Sequence, residues 1–193
     1  MSKLKLISRI DLADDTMIRV EETARAVGLF CRRSPAMVDA ATIAALKQFA
    51  ARYPTKNVRL CLHASPAAPF HSMIIHERKG TFYPPHRHAE KGENWHIVEG
   101  RMAVFIFDAD GRVTDARHLG GVDGLIYQLD PGVYHTVVAL SETVIYHETK
   151  LGPFLGGADS LMPSWSPDPS DTEAVRFYVT GLLALLDASA DAG

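Results

Sequence analysis

Three residues that commonly bind metal ions lie within eight positions of the segment GTFYPPHRHAEKGENWHIVEG, which runs from residue 80 to residue 100. They are His86, His88 and Glu93, and a further histidine, His96, follows three positions later. Neutral imidazole nitrogens and carboxylate oxygens are good ligands for divalent transition metals, so this donor set predicts a metal site. The alternative is a polar loop in which the histidines share no role.

The spacing of these donors suits two neighbouring strands joined by a turn. Residues two apart in an extended strand point to the same side, so His86 and His88 share a face. Gly92 supplies the turn, and Glu93 then begins the next strand. His96 lies an odd number of residues from Glu93 and therefore faces the opposite way in a regular strand. We predict that His96 lies outside the cluster.

A fourth donor follows the turn in LDPGVYHTVV, where His135 comes shortly after Pro131 and Gly132. Closed antiparallel sheets bring non-sequential strands together, so the distance in sequence is no obstacle. The two cysteines, Cys31 and Cys61, have no CxxC partner, which argues against a thiolate zinc site. The prediction is one divalent transition-metal ion (Fe, Mn, Ni or Zn) with positions left open for water or substrate.

The segment VIYHETK, residues 144 to 150, could place acid–base groups beside the metal. Strand alternation turns inward either His147 or Tyr146 together with Glu148, and the sequence does not decide between them. The inward residue, Glu148 or His147, is the candidate catalytic acid or base. A strand end that is merely linked by charge to Lys150 is an equal alternative. Three further side chains are predicted to contact substrate: Tyr127, Arg78 and His76.

Short runs rich in β-branched and aromatic residues fill residues 57 to 152 and are separated by turn signals. Asp110 and Gly111 form a strong hairpin signal between two of them. With no helical patterns in between, this spacing predicts an antiparallel sandwich or barrel. The eight candidate strands are NVRLCLH, HSMIIHER, NWHIVEG, MAVFIFD, RVTDARHL, LIYQLD, YHTVVAL and TVIYHETK.

Residues 1 to 56 are predicted to form a helical segment packed on the barrel. A first helix is expected in DDTMIRVEETARAVGL. Ser34 and Pro35 suit the cap and first position of a second helix that ends near Arg52.

Residues 153 to 193 are predicted to be a surface segment rich in Pro and Gly, followed by a helix that begins at Ser170 or Asp171. All three parts are expected to form one domain. The helix presents an apolar stripe that covers the barrel in the first interpretation and forms a homodimer contact in the second. The stripe consists of Val175, Tyr178, Val179, Leu182, Leu183 and Leu186.

The composition excludes several classes of protein. The chain has 193 residues, of which 47% are hydrophobic and 22% charged, as expected for one ordinary globular domain. A net charge of -3 and the lack of a helix-turn-helix pattern argue against nucleic-acid partners. No apolar run is long enough for a signal peptide or a membrane span. We therefore expect a cytoplasmic protein with a small-molecule partner.

The metal-site residues resemble the two motifs of the cupin superfamily. The first motif has glycines around a His-x-His pair and a later Glu, and it is met at every defined position by Gly80, His86, His88, Glu93 and Gly100. The second motif is matched by Gly124, Gly132 and His135, whereas its proline is displaced to Pro131 and its final Asn is replaced by Ala139. The resemblance implies a mainly β, double-stranded β-helix (jelly-roll) barrel with a metal held by His86, His88, Glu93 and His135.

A narrower likeness, from about Arg59 to Pro167, is to the WbuC-type cupin fold metalloproteins. It includes Glu90 and Lys91 directly after the HRH triplet. That group often accompanies bacterial surface-polysaccharide genes. The likeness favours a small oxygen-rich, sugar-like substrate, and the open metal positions favour a metal-dependent enzyme, an isomerase or a dioxygenase. The alternative is a non-catalytic module that binds or senses a carbohydrate.

Overall fold

The computed structural model describes residues 9–24 and 26–190, so the start of the predicted N-terminal segment, residues 1–8, lies outside the described residues. The described chain is mainly β, with two α-helices and a 3₁₀ turn at Gly156–Ala158. Each of the eight predicted strands is present. The strands are β1 Ile18–Glu22, β2 Ala26–Cys31, β3 Asn57–Cys61, β4 Phe70–Arg78, β5 Glu93–Glu99, β6 Met102–Phe107, β7 Val113–Leu119, β8 Ile126–Leu129, β9 Tyr134–Ala139 and β10 Thr143–Leu151, and the helices are α1 Ala40–Ala51 and α2 Thr172–Ala190.

The strands form two sheets that share one core. The larger sheet has seven strands in the order β1-β2-β3-β4-β10-β5-β8, and the smaller has three in the order β7-β6-β9. Neighbouring strands run antiparallel except β2 and β3, which are parallel. Apolar side chains from both sheets pack together, which confirms the predicted antiparallel sandwich or barrel. This shared core includes Met73, Ile75, Trp95, Ile97, Met102, Val104 and Val137.

Strand β10 lies between β4 and β5, and its register fixes which side chains face the interior. Tyr146 is 2% exposed and belongs to the core shared by the two sheets. Because alternate residues share a face, Glu148 and Lys150 point to the same side as Tyr146. Lys150 lies opposite Glu93 on β5, and Glu148 lies opposite Trp95. The structure therefore selects one of the two orientations that the sequence left open.

The first predicted N-terminal helix is wrong. Its residues contribute to an antiparallel pair, β1 and β2, and β2 adds to the larger sheet beside β3. Val27 and Leu29 are fully buried and flank the partly buried Gly28, so this stretch has the alternation of a strand. Both side chains pack in a core that includes α1, where sheet pairing overrides the local helical pattern.

The second predicted N-terminal helix is confirmed, but it begins at Ala40 instead of near Ser34. Asp39 is the cap: its carboxylate accepts a hydrogen bond from the Thr42 backbone N–H at 2.8 Å. The Thr42 side chain in turn accepts from the Asp39 backbone N–H at 3.4 Å, which completes a capping box. This reciprocal pair satisfies two of the backbone donors at the helix start. The predicted end at Arg52 is confirmed.

Helix α2 begins at Thr172, close to the predicted start, and packs on the outer face of the smaller sheet. Its buried residues Leu182 and Leu186 contact a core that contains Ala103, Phe105 and Phe107 of β6. The apolar stripe therefore covers the barrel, as in the first interpretation, while the homodimer contact stays a prediction. Neither α-helix in the described ranges combines the length and apolarity that a bilayer crossing requires.

Trp165 fastens the segment before α2 to the hairpin between β6 and β7. Its indole N–H donates to the Ala109 carbonyl at 2.9 Å, and its ring lies against Phe107 and Tyr134. Gly111, at the hairpin tip, has a φ of 86°, and a Cβ there would come within 2.7 Å of the indole. The predicted turn residue is thus needed both for its backbone conformation and for the space it leaves.

We expect the Leu182→Ala substitution to lower the free energy of unfolding by about 2 to 5 kcal/mol, because it leaves a cavity between α2 and the smaller sheet. Leu182 is 4% exposed, whereas Leu185, which lies three positions further along α2, is 52% exposed. Leu185→Ala is therefore the matched control and should change stability by only about 0.5 kcal/mol. Urea unfolding followed by circular dichroism measures both. Equal effects would show that α2 does not pack through this stripe.

Candidate metal centre

The histidines predicted from the two motifs come together in the fold. His86 and His135 exchange backbone hydrogen bonds of 3.1 and 2.9 Å, and the His88 carbonyl accepts from Gly132 N–H at 2.7 Å. These bonds hold the extended segment from His86 to His88, which we call the His-x-His strand, against the start of β9. One ring nitrogen from each of His86, His88 and His135 lies within 4.8 Å of the other two. The three imidazoles thus form a group that could hold a metal ion.

Each of the three rings is oriented by a backbone carbonyl. His86 Nδ1 lies 2.9 Å from the Pro84 oxygen, and His135 Nδ1 lies 3.0 Å from the Val133 oxygen. His88 Nδ1 makes the same kind of contact with the Asp159 oxygen. A carbonyl only accepts, so each ring carries a proton on Nδ1, and Nε2 is the nitrogen that a metal could take.

Glu93 lies at the start of β5 against two of these rings. Its carboxylate oxygens lie 3.0 Å from His88 Nε2 and 3.2 Å from His135 Nε2, and Lys150 Nζ donates to it at 2.8 Å. Burial would raise the pKa of Glu93, but the contacts with His135, His88 and Lys150 hold that pKa well below its usual range. The side chain is therefore an ionised carboxylate in the interior.

The donor set fits a divalent transition metal. His88 Nε2 is buried and makes no hydrogen bond to any described residue, although it lies beside the Glu93 carboxylate. Leaving a buried polar atom without a partner costs about 1–3 kcal/mol, which an ion at this point would offset. Burial lowers the pKa of His86 to about 4, so that ring is neutral near neutral pH. Imidazole nitrogens together with a carboxylate suit Fe, Mn, Ni or Zn.

His96 lies outside the group, as strand alternation predicted. It is exposed on β5, whereas Glu93, Trp95 and Ile97 on the same strand are buried. His96 is therefore close to the other donors in sequence but not part of their group in the fold.

Residues 153–162, which we call the strap, run against the His-x-His strand. Arg87 and Leu161 exchange backbone hydrogen bonds of 3.0 and 2.9 Å. The Asp159 carboxylate binds the Lys91 ammonium and accepts from the Leu155 backbone N–H at 3.3 Å. Sequence reasoning placed this segment on the surface and missed its contact with His88. Lys91, noted in the sequence only as part of the family likeness, is the residue that could have indicated this contact, because it binds Asp159.

A cavity of about 390 Å³ opens beside the metal-binding group. This volume suits a small molecule. Aromatic side chains, polar side chains and part of the strap form its wall. The wall residues include Asn57, Arg59, Tyr83, Trp95, Tyr146, Glu148, Lys150, Phe154, Asp159 and Met162, together with His86, His88, Glu93 and His135.

The two candidate acid–base residues lie on opposite faces of β10. Glu148 is in the cavity wall, with its carboxylate 3.2 Å from Lys150 Nζ. His147 points away, and its Nε2 lies 2.8 Å from Ser72 Oγ. Of the two, Glu148 alone faces the candidate metal centre.

The three predicted substrate contacts are not part of this cavity wall. Tyr127 stacks on Trp95 and donates to Asp115 at 3.1 Å. Arg78 donates to the Ala50 carbonyl at 2.7 Å, at the end of α1. His76 is 4% exposed and shares the face of β4 that α1 covers.

Arg59 and Tyr83 line the cavity and were not among the sequence candidates. On β3, Val58 and Leu60 pack toward α1, whereas Cys61 packs between the sheets, and Arg59 shares the face of Cys61. The usual assumption that the apolar face of a strand is the inner one assigns Arg59 to solvent. It fails because both faces of β3 are covered.

We expect Asp159→Ala to weaken metal binding about 10- to 100-fold, because it releases the strap that orients the His88 ring. The three imidazoles themselves would be unchanged. Competition with a chelator of known affinity measures the loss. The control is Asp168→Ala, which removes an exposed carboxylate that lies beyond the end of the strap. Unchanged metal affinity in Asp159→Ala would show that the strap does not support the centre.

The comparisons with known proteins concern the fold and give no reaction or substrate. A family model described as a domain of unknown function, DUF6016, matches residues 38–119. No curated protein matches the chain.

Several solved structures are similar in fold. They include the cupin domain of Schizosaccharomyces pombe Cnp3, with 14% identity over 49% of this chain and 60% of that one and a TM-score of 0.40. The formate complex of Lactobacillus farciminis oxalate decarboxylase gives 16% identity over 55% and 30%, with a TM-score of 0.42. KdgF from a Halomonas species gives 18% identity over 49% and 77%, with a TM-score of 0.39. The chain thus spans less than two thirds of the first two, and the likeness concerns the fold alone.

Proposed function

We propose that this protein is a metal-dependent cupin enzyme acting on a small oxygen-rich, sugar-like molecule. The ligands would be His86, His88, Glu93 and His135. The observation that carries the proposal is the convergence of three imidazoles, each oriented by a backbone carbonyl, beside a cavity. A divalent ion bound there would supply Lewis-acid or oxygen-binding chemistry.

The cavity wall supports a sugar-like substrate. Trp95, Tyr83 and Tyr146 offer aromatic surface, and Asn57 and Glu148 offer hydrogen-bonding groups. Polyhydroxylated molecules need both kinds of contact, since their carbon faces are apolar and their hydroxyls must be paired. The likeness of residues 59 to 167 to the WbuC-type proteins favours the same substrate class, by analogy.

Glu148 is the proposed acid–base residue. Its carboxylate faces the cavity, and Lys150 holds it from one side at 3.2 Å. A group in this position can accept a proton from a bound substrate and return it at a neighbouring carbon, which an isomerase requires. A dioxygenase would not depend on that transfer, so the importance of Glu148 separates the two reaction types.

A second candidate function is a non-catalytic carbohydrate-binding module. The observation that favours it is the position of Lys150, which contacts Glu93 at 2.8 Å and Glu148 at 3.2 Å. A carboxylate already paired with an ammonium is less available for proton transfer. This module would bind its ligand tightly and show no turnover.

Metal analysis tests the proposal. The protein would be purified without chelating resin, analysed for bound metals, and reconstituted anaerobically with Fe(II) and separately with Mn, Ni and Zn. We expect about one ion per chain for at least one metal. A protein that stays below about a tenth of an ion per chain with every metal would contradict the proposal. Substrate screening follows with the metal that binds.

A further inference from the structure

We propose that the substrate is an acid, and that Arg59 in the wall of the cavity binds its carboxylate. The substrate class would be a small polyhydroxylated carboxylate, that is, a sugar acid or a related hydroxy acid. This inference rests on the proposed function, since it takes the cavity to be the substrate site. It adds a specificity residue that neither cupin motif contains.

Arg59 is a cation held inside the protein with no described carboxylate within ion-pair distance, although Tyr83 and Glu148 act on it electrostatically and raise its pKa. It belongs to β3, faces the interior and is part of the cavity wall. Its Nε is buried and has no hydrogen-bond partner. No ion pair to its guanidinium is found within residues 9–24 and 26–190. Buried charges are normally paired, so an unpaired one beside an open cavity indicates a binding group.

The carboxylates nearby already have other partners. Glu77, on the neighbouring strand β4, accepts a hydrogen bond from the Tyr146 hydroxyl at 2.7 Å through one carboxylate oxygen, and its other oxygen is buried without a partner. Glu148 and Glu93 both contact Lys150. Asp159, in the strap, binds Lys91. None of these four side chains lies within ion-pair distance of Arg59, so its partner is not a carboxylate of this wall.

The charge of the wall also favours an anion. Lys150 and Arg59 offset the carboxylates of Glu93 and Glu148, and the charges of Asp159 and Lys91 cancel. With a divalent ion at the imidazoles, the wall residues would carry an excess of two positive charges, or of one when the neighbouring Glu77 is ionised. A neutral sugar would leave that excess uncompensated, whereas an acid would reduce it.

The shape of the guanidinium favours a carboxylate over other anions. Nε–H and one Nη–H of arginine form a fork that matches the two oxygens of a planar carboxylate. The Nε of Arg59 is buried and has no partner in the protein, whereas the two terminal Nη groups are not among the buried unpartnered atoms and offer a second, end-on fork of two N–H groups. A substrate that reaches from the metal-binding group to Arg59 would therefore be fixed at both ends.

Isothermal titration of the Zn(II)-loaded full chain tests the inference. The probes are two matched pairs, D-glucuronate with D-glucose and glycolate with ethylene glycol, together with inorganic phosphate. We expect each acid to bind about tenfold or more tightly than its neutral partner. In Arg59→Met the acids should bind about 10- to 100-fold more weakly while the neutral probes are unchanged. The control is Arg117→Met, an exposed arginine paired with Asp115, which should change nothing.

The outcomes separate the inference from the proposed function. Normal Zn(II) binding with equal affinity for acids and neutral partners would overturn the inference alone, and failure to bind any metal would overturn both. Tighter binding of phosphate than of either acid, lost in Arg59→Met, would overturn the carboxylate assignment. If Arg59→Met does not fold, as judged by circular dichroism, the Arg59→Lys variant tests the carboxylate assignment in its place. It keeps the charge and loses the fork, so unchanged acid binding would also overturn the assignment.

Discussion

Replacing His86 and His88 together by alanine is expected to reduce bound metal from about one ion per chain to less than about a tenth. Two of the three converging imidazoles are lost, and the remaining His135 and Glu93 are too few to hold a transition metal against a chelator. The affinity for the metal should fall at least about 1000-fold, since each bond from a protein ligand to the ion contributes several kcal/mol. Metal analysis after dialysis against a weak chelator measures the loss.

The control for this double variant is His96→Ala. His96 belongs to the same sequence segment but is exposed on the outer face of β5. Its replacement should leave the metal content at the parent value. A double variant that kept the full metal content, or a His96→Ala variant that lost it, would place the centre elsewhere. Far-ultraviolet circular dichroism distinguishes loss of the site from loss of the fold.

Glu148→Gln is expected to lower turnover by about 100- to 10,000-fold if the protein is an isomerase. The amide keeps the size of the side chain and removes the group that exchanges the proton. Metal content should be unchanged, because Glu148 is not among the proposed metal ligands. Steady-state kinetics on the substrate that screening identifies provides the measurement.

His147→Gln is the matched control for Glu148→Gln, since the two residues are neighbours on opposite faces of β10. It should retain most of the activity. Equal losses in both variants would indicate a general effect on β10. Turnover that persists in Glu148→Gln, in a protein that binds Fe(II) and consumes oxygen, would instead favour a dioxygenase.

The convergence of the three histidines could be predicted because their geometry is local. His86 and His88 need only strand alternation, and His135 needs only a turn at Gly132 to begin its strand. Backbone bonds between His86 and His135 then bring the two parts together. The predicted exclusion of His96 rested on the same alternation and is confirmed.

The rest of the cavity could not be predicted, because it depends on how layers stack. Arg59 faces inward only because α1 covers the other side of β3, and a single strand does not reveal this. The orientation of Glu148 depends on the register of β10 between β4 and β5. The first N-terminal helix failed for a related reason, since the edge of a sheet offers backbone partners that a local pattern does not show.

The contact between the strap and the His-x-His strand has a consequence for the order of events during synthesis. His88 and Asp159 are 71 residues apart, yet the Asp159 carbonyl orients the His88 ring. A growing chain that has released both histidine motifs still lacks this oxygen. Its imidazoles could meet a metal ion while the His88 ring is free to rotate, so an ion captured early would be weakly held and exchangeable. Selection among metals by the proposed centre would therefore fall to the completed chain, after the strap has left the ribosome.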